Sequence, residues 1–241
     1  MRQSNLYVIL FAAGMTIVLG GMLSLTSVGL KPRQDKQVEL DTKKKILGAV
    51  MTLDTKATPE EVLDLYSKRV ESMLVDINGN IVEDSTITAE KIDIGKNHKL
   101  APEDRNYPVF KFMNEAGEVE AYILPVFGAG LWDWISGFVA LEKDLNTIKG
   151  VAFDHKQETP GLGARITEEK VKARFKGKTI FEGSNLVSVA MIKGEGSRTD
   201  LDSHEVDGMS GATMTAKGLD VMISDYLEYY LGFIEKNKQA L

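Results

Sequence analysis

The stretch Asp207-Gly208-Met209-Ser210-Gly211-Ala212-Thr213 runs into a segment where Leu219, Met222, Ile223, Tyr226, Leu227, Tyr230, Leu231 and Ile234 recur at helical intervals. At 3.6 residues per turn those side chains share one stripe, so a glycine-rich loop here feeds an amphipathic helix with one core-facing side. Met and Tyr on such a stripe serve as core packing. The core needs a partner surface, and short strand candidates lie upstream at 91–94, 109–112, 119–125, 135–141, 148–154 and 186–193. Gly, Asn or Asp bounds several of them, as in antiparallel or mixed sheets. Before the strands, Thr58-Pro59-Glu60-Glu61 has the makings of a helix start, with Thr at the cap, Pro first and acids in the first turn. Leu63, Tyr66, Val70 and Leu74 are expected to continue that helix. The order helix, strands, helix predicts an α+β fold, with a mixed, mostly antiparallel sheet and flanking helices, rather than a βαβ repeat.

Further out, no charged residue occurs from Gln3 to Leu30, and residues 6–28 (LYVILFAAGMTIVLGGMLSLTSV) are almost entirely apolar or small. As a helix this run extends about 34 Å, enough to cross a hydrocarbon core of about 30 Å. Lys31-Pro32-Arg33 is expected to close it, the proline interrupting the helix and the cations sitting at headgroup depth. A cleaved signal peptide has an apolar run of only about 7–15 residues, so the stretch reads as a retained N-terminal transmembrane helix. Residues 1–30 then form a short tail and anchor, and 31–241 a soluble domain. Its first part, 31–57, is a charged approach with Val38, Leu40, Ile46, Leu47 and Val50 at loosely helical spacing. Only Arg2 precedes the anchor, whereas Lys31, Arg33 and Lys36 follow it. Taken alone, the positive-inside rule places the carboxy-terminal bulk in the cytoplasm, although large domains translocate largely regardless of flanking charge.

Composition removes several classes of function. Residues 31–241 carry all 35 Asp and Glu but 28 of the 29 Lys and Arg, a net charge of −7, which lacks the basic footprint that neutralises nucleic-acid phosphates. The chain has no Cys, hence no disulfide, thiolate metal site, iron–sulfur cluster or cysteine nucleophile. His98, His155 and His204 are far apart and show no metal-ligand spacing, which argues against zinc. Gly208-Met209-Ser210-Gly211-Ala212 approaches a G-x-S-x-G elbow but ends in Ala, and no His follows His204 to complete a triad. No carboxylate pair stands out as acid and base.

Three glycine-rich loops remain: Gly128-Ala129-Gly130-Leu131-Trp132, Glu158-Thr159-Pro160-Gly161-Leu162-Gly163, and the loop from Asp207 to Thr213. Glycine permits positive φ and close backbone approach, so each is first of all a turn. The third also opens a helix, whose free N–H groups and dipole suit a phosphate. A hydroxyl held there, from Ser210, Thr213 or Thr215, would serve as a nucleophile, as an attachment point or simply as a helix cap.

Together the three loops resemble the C-type subunit of the sodium-translocating NADH:quinone oxidoreductases. That family's covalent-flavin motif, D-x-x-(S/T)-G-A-T, matches Asp207 to Thr213 at every fixed position. Gly130-Leu131-Trp132 and Glu158 to Gly163 match the family's G-L-W and E-T-P-G-L-G segments, and residues 35–47 look like the region after its anchor. The paralogous G-type subunit of the Rnf electron-transport complex shares the E-T-P-G-L-G and G-A-T signals. It has Thr where this chain has Ser210, and G-L-W is typical of the C-type family.

The resemblance implies FMN esterified through its phosphate to the Thr213 hydroxyl, attached by a separate flavin transferase that draws on FAD. Asp207, Ser210, Gly211 and Ala212 would be binding surface and recognition signal. Leu131, Trp132, Thr159, Pro160, Gly161 and Leu162 would flank the isoalloxazine or ribityl chain. It implies an electron-transfer subunit of the inner membrane with its domain in the periplasm, against the charge reading. This subunit would relay single electrons from a membrane-embedded iron centre to a second covalent FMN on another subunit of the complex. On this resemblance NADH oxidation and quinone reduction would occur elsewhere, so no Rossmann fingerprint is needed, and the sequence shows none. No role attaches to His155, three positions before Glu158. Two other readings are a membrane-anchored binding or assembly module without flavin, and a secreted enzyme released by removal of residues 6–28.

Overall fold

A computed structural model describes residues 4–54, 56–83, 87–196, 198 and 200–238. The first element is one helix of 44 residues, α1 (Asn5–Gly48). It contains an 18-residue window of mean hydropathy 2.2 that is not buried at all, long and apolar enough to cross a membrane. Pro32 lies inside α1 and does not end it, contrary to expectation. The proline removes one helical hydrogen bond, but good helix formers follow it and the Lys31–Asp35 ion pair (3.0 Å) spans it. The chain divides into two units, Met1–Asp41 and Thr42–Leu241.

In the second unit, α2 (Pro59–Arg69) begins as expected. The Thr58 hydroxyl accepts from the Glu61 N–H, and the Glu61 carboxylate accepts from the Thr58 N–H in return. It ends sooner than expected, because residues from Val70 on form β1 (Val70–Val75). A spacing of four, as between Val70 and Leu74, fits a helix face and a strand face equally. Pairing with the next strand decided the matter.

The stretch 91–94 is likewise no strand. It joins a short 3₁₀ turn to α3 (Ile94–Asn97), whose first turn is capped by the Asp93 carboxylate accepting from the Lys96 N–H at 3.1 Å. Strands β2 (Tyr107–Met113), β3 (Val119–Ala129), β4 (Trp134–Glu142) and β5 (Ile148–His155) enclose the four expected segments. With β1 they form an antiparallel meander, β1-β2-β3-β4-β5. β3 runs four residues past Pro125, which pairs with Phe138, and so carries Gly128 and Ala129 in the sheet.

Beyond α4 (Glu169–Lys172), the expected strand 186–193 is two pieces. Ser188 takes a left-handed φ of 63° and separates the hairpin of β6 (Phe181–Glu182) and β7 (Asn185–Leu186) from β8 (Ala190–Ile192). β8 pairs in parallel with β9 (Glu205–Asp207), a short strand that sequence reasoning missed. The closing helix is α5 (Thr213–Tyr229), and after a break at Tyr230 it is followed by α6 (Leu231–Lys238).

The stripe read from the sequence is the core. Leu219, Met222, Ile223, Tyr226, Leu227, Tyr230 and Ile234 are buried, and Leu231 packs partly buried against the same cluster. They meet alternate residues of the sheet, Tyr122, Leu124 and Val126 of β3 among them. On the other side Ala121 and Ile123 are buried too, Arg69 lies over the Phe112 ring, and the Ala49 carbonyl lies against Gly150. α5 reaches the end of β3 because Gly218 has no side chain: a Cβ there would overlap the Ala129 carbonyl oxygen. That contact delivers the start of α5 to the turn after β3.

Candidate functional site

The turn after β3 is closed by the Gly130 N–H donating to the Asp133 carbonyl at 2.8 Å. Its tip leaves two large apolar side chains in solvent, Leu131 at 49% and Trp132 at 68% exposure. Isolated exposed leucines are common, but here Trp134, Leu162, Met214 and Val221 are also more than 40% exposed. The N–H groups of Leu131 and Trp132 donate to one oxygen of Glu158, at 2.8 and 3.0 Å.

Glu158 opens the loop after β5. The loop turns through Gly161 at φ +75°, with the Leu162 and Ala164 N–H groups donating to the Thr159 carbonyl at 3.1 and 3.2 Å. Thr159, Pro160, Gly161 and Leu162 are exposed. Trp132, Gln157, Glu158, Thr159 and Pro160 line an open recess of about 440 Å³. Leu162 reaches across to the third loop: a Cβ on Gly211 would come within 2.9 Å of its Cδ2.

The third loop leaves β9 at Asp207. Gly211 supplies a left-handed φ of +77°, and the Ala212 N–H donates to the Met209 carbonyl at 3.2 Å. Ala212 is the cap residue of α5 and no side chain caps that end, so neither Ser210 nor Thr213 serves as a helix cap. Thr213 is the first residue of α5 and is exposed, as is Ser210. The Asp207 carboxylate turns the other way: one oxygen accepts the Gly196 N–H, and the other is buried without a hydrogen-bond partner.

Two arginines hold this loop from beneath. Arg174 donates to the Asp207 and Gly208 carbonyls at 2.8 and 2.6 Å and to Glu195 at 2.9 Å. Arg165 grips Glu195 with both terminal nitrogens, and the Ser210 N–H donates to the same carboxylate at 2.8 Å. Hydrogen bonds from Arg165 first, then Arg174 and Ser210, hold the Glu195 carboxyl down at about 2. The cluster is a charged bracket under a loop whose upper surface is open.

Beside α5 runs a groove of about 400 Å³ lined by His98, Phe127, Trp134, Met214, Lys217 and Val221, among others. The His98 ring stacks on Tyr226 and meets Phe127 and Trp134, with ring centroids 5.3–6.1 Å apart. Burial, and then the charge of Arg105, lower its pKa. His155 ends β5 with its Nδ1 buried and unpartnered. Among the described residues no group of three or more His, Asp or Glu could hold a metal ion.

The fold thus gathers the three loops around the start of α5. Sequence reasoning named the Thr215 hydroxyl but missed its bond to Glu158, and it missed the Arg165–Glu195–Arg174 bracket and the groove residues. Of the three hydroxyls, that of Thr215 is buried and donates to Glu158, which leaves Ser210 and Thr213 exposed. Nothing in residue type announced the bracket, whose members lie 21 and 30 residues apart.

Residues 130–228 match the FMN-binding domain family, a span that contains the second and third loops and Gly130-Leu131-Trp132 of the first. The chain is 33% identical over 219 residues to the C-type subunit of the Na(+)-translocating NADH-quinone reductase from Haemophilus ducreyi, spanning 86% of this chain and 83% of the relative. It is 30% identical to the corresponding protein of Pseudomonas aeruginosa, over 96% of this chain and 93% of that one. The crystal structure of the same subunit from Parabacteroides distasonis superposes with a TM-score of 0.73 at 33% identity, covering 85% of this chain and 96% of that chain.

Proposed function

Because the chain belongs to the C-type subunit family of the Na(+)-translocating NADH-quinone reductases, we propose that it carries its FMN as a phosphoester on the Thr213 hydroxyl. The protein is an FMN-containing electron-transfer subunit of that oxidoreductase, and it works with the other subunits of the complex. The observation that carries the attachment site is an exposed threonine at the uncapped start of α5, in the same helix turn that Glu158 ties to the turn bearing exposed Leu131 and Trp132.

The residues fit the group. A phosphodiester keeps one negative charge, and the free N–H groups of the first turn of α5, with Lys217 four residues on, provide positive potential for it. Ser210 and Gly211 are exposed beside Thr213, Ala212 packs into the core as the cap residue of α5, and Asp207 anchors the base of their loop. Leu131, Trp132, Thr159, Pro160, Gly161 and Leu162 would flank the flavin when it is bound. When bound, FMN supplies one-electron transfer, with its potential set by packing and hydrogen bonds from the chain.

Attachment is the work of an external flavin transferase, as the resemblance to the C-type subunits implies, and the exposure of Thr213 leaves its hydroxyl accessible to one. In that reaction the Thr213 oxygen forms a bond to the FMN phosphorus of FAD, the pyrophosphate bond breaks, and AMP leaves. The exposed loop is what such an enzyme would read. The apolar residues 6–28 of α1 anchor the chain in the inner membrane, with the domain of residues 31–241 in the periplasm, and the full Asp207 to Thr213 pattern disfavours an empty scaffold. The test is expression with and without a flavin transferase, followed by a denaturing gel. The parent band fluoresces yellow-green only with the transferase, and Thr213→Ala never does; fluorescence persisting in Thr213→Ala would refute the attachment site.

A further inference from the structure

Glu158 is 4% exposed, yet nothing above requires a carboxylate at that position. One of its oxygens accepts the N–H groups of Leu131 and Trp132, and the other accepts the Thr215 hydroxyl at 2.7 Å. A single side chain therefore ties together the turn after β3, the loop after β5 and the first turn of α5. The space around it is cut to match. A Cβ on Gly130 would overlap the first oxygen, and one on Gly163 would overlap the second oxygen and the Thr215 hydroxyl. Two glycines of the glycine-rich loops are thus needed for the carboxylate rather than for backbone freedom.

Resting on FMN attachment at Thr213, we propose that Glu158 is the positioning residue of the flavin site. It acts through Leu131, Trp132 and Thr215, fixing the turn that carries the exposed apolar pair against the helix that carries Thr213. The flavin's surroundings are therefore set before attachment, and its ring orientation is imposed by the folded chain. Glutamine keeps one oxygen for the two N–H donors, while its amide faces the Thr215 hydroxyl, which can rotate to accept. Alanine cuts all three ties.

The experiment uses the full chain in detergent, made with and without flavin transferase, as parent, Glu158→Ala, Glu158→Gln and Thr215→Val. In the flavin-free proteins, hydrogen exchange of the peptide spanning residues 129–134 accelerates roughly ten- to a hundredfold in Glu158→Ala, as expected when bonds to a charged acceptor are lost, and stays near parental in Glu158→Gln. In the flavinylated proteins, visible circular dichroism and fluorescence anisotropy of the flavin fall in Glu158→Ala and recover in Glu158→Gln. A residue that only stabilised the fold would lower the melting temperature and leave the flavin signals unmoved. Should Glu158→Ala not fold, Thr215→Val cuts only the tie to α5, lowering the flavin dichroism while the 129–134 amides stay protected. Exchange within twofold of parental and unchanged flavin signals in Glu158→Ala, or unchanged flavin dichroism in Thr215→Val, overturn the proposal. A parent chain with no flavin on Thr213 would instead refute the attachment, and the flavin-free exchange would still decide whether the clasp exists.

Discussion

Replacing Glu195 by Gln removes the charge at the centre of the bracket under the Asp207–Thr213 loop. Arg165 and Arg174 are only 12% and 17% exposed in their side chains, so both cations lose their counter-ion in a partly desolvated place. The carboxyl sits at about 2 in the folded protein against an ordinary 4.5. That displacement corresponds to at most roughly 3 kcal/mol of stability, and with one fifth of the Glu195 side chain exposed, solvent screening trims it to about 2 kcal/mol. For a domain of this size the melting temperature falls by roughly 4–8 °C. The sign with pH follows from the depressed value. The stabilisation is complete above about pH 4.5 and is lost as pH falls toward 2, so parent and variant converge in acid. Thermal melts of the full chain in detergent, followed by Trp fluorescence at pH 7, 5 and 3.5, measure the gap. A difference that stays constant from pH 7 to 3.5, or none at pH 7, would show that Glu195 does not bear this load.

Other outcomes follow from single contacts. Burial pushes Asp220 up to about 6 against the pull of the Met191 N–H, so its ionisation above that pH costs stability. Asp220→Asn keeps the acceptor and gains about 1–2 kcal/mol at pH 8 but nothing at pH 3.5; equal gains at both would exclude the carboxyl as the cause. Gly218→Ala loses about 1–3 kcal/mol through overlap with the Ala129 carbonyl, although helix propensity alone would reward it by about 1 kcal/mol; a raised melting temperature would contradict the packing of α5 on β3. Trp132→Ala leaves stability within about 0.5 kcal/mol, as its 68% exposure requires, while the attached flavin becomes several-fold brighter because a quenching indole is gone. An unchanged fluorescence yield would remove Trp132 from the flavin's surroundings.

What the sequence disclosed was what local periodicity can carry. The stripe from Leu219 to Ile234 fell on the core because a helix imposes its own spacing, and the Thr58 cap declared itself for the same reason. The segments inside β2 to β5 were legible from their apolar content and bounding turns. β1 was not, since Val70 and Leu74 satisfy helix and strand alike and only pairing with β2 separates them. α1 passed Pro32 because one missing hydrogen bond does not outweigh helix-forming neighbours on both sides. At the site, glycine content picked out the three loops, but their junction was invisible. Glu158 meets Leu131 across 27 residues and Thr215 across 57, and no local pattern encodes such a contact.

The central claim is one covalent bond, and peptide mass spectrometry of the natively purified full chain tests it most directly. The account predicts that the peptide containing Thr213 is heavier by one FMN less one water, with fragmentation placing the added mass on Thr213. An unmodified peptide, or the added mass on Ser210 or Thr215, would contradict it.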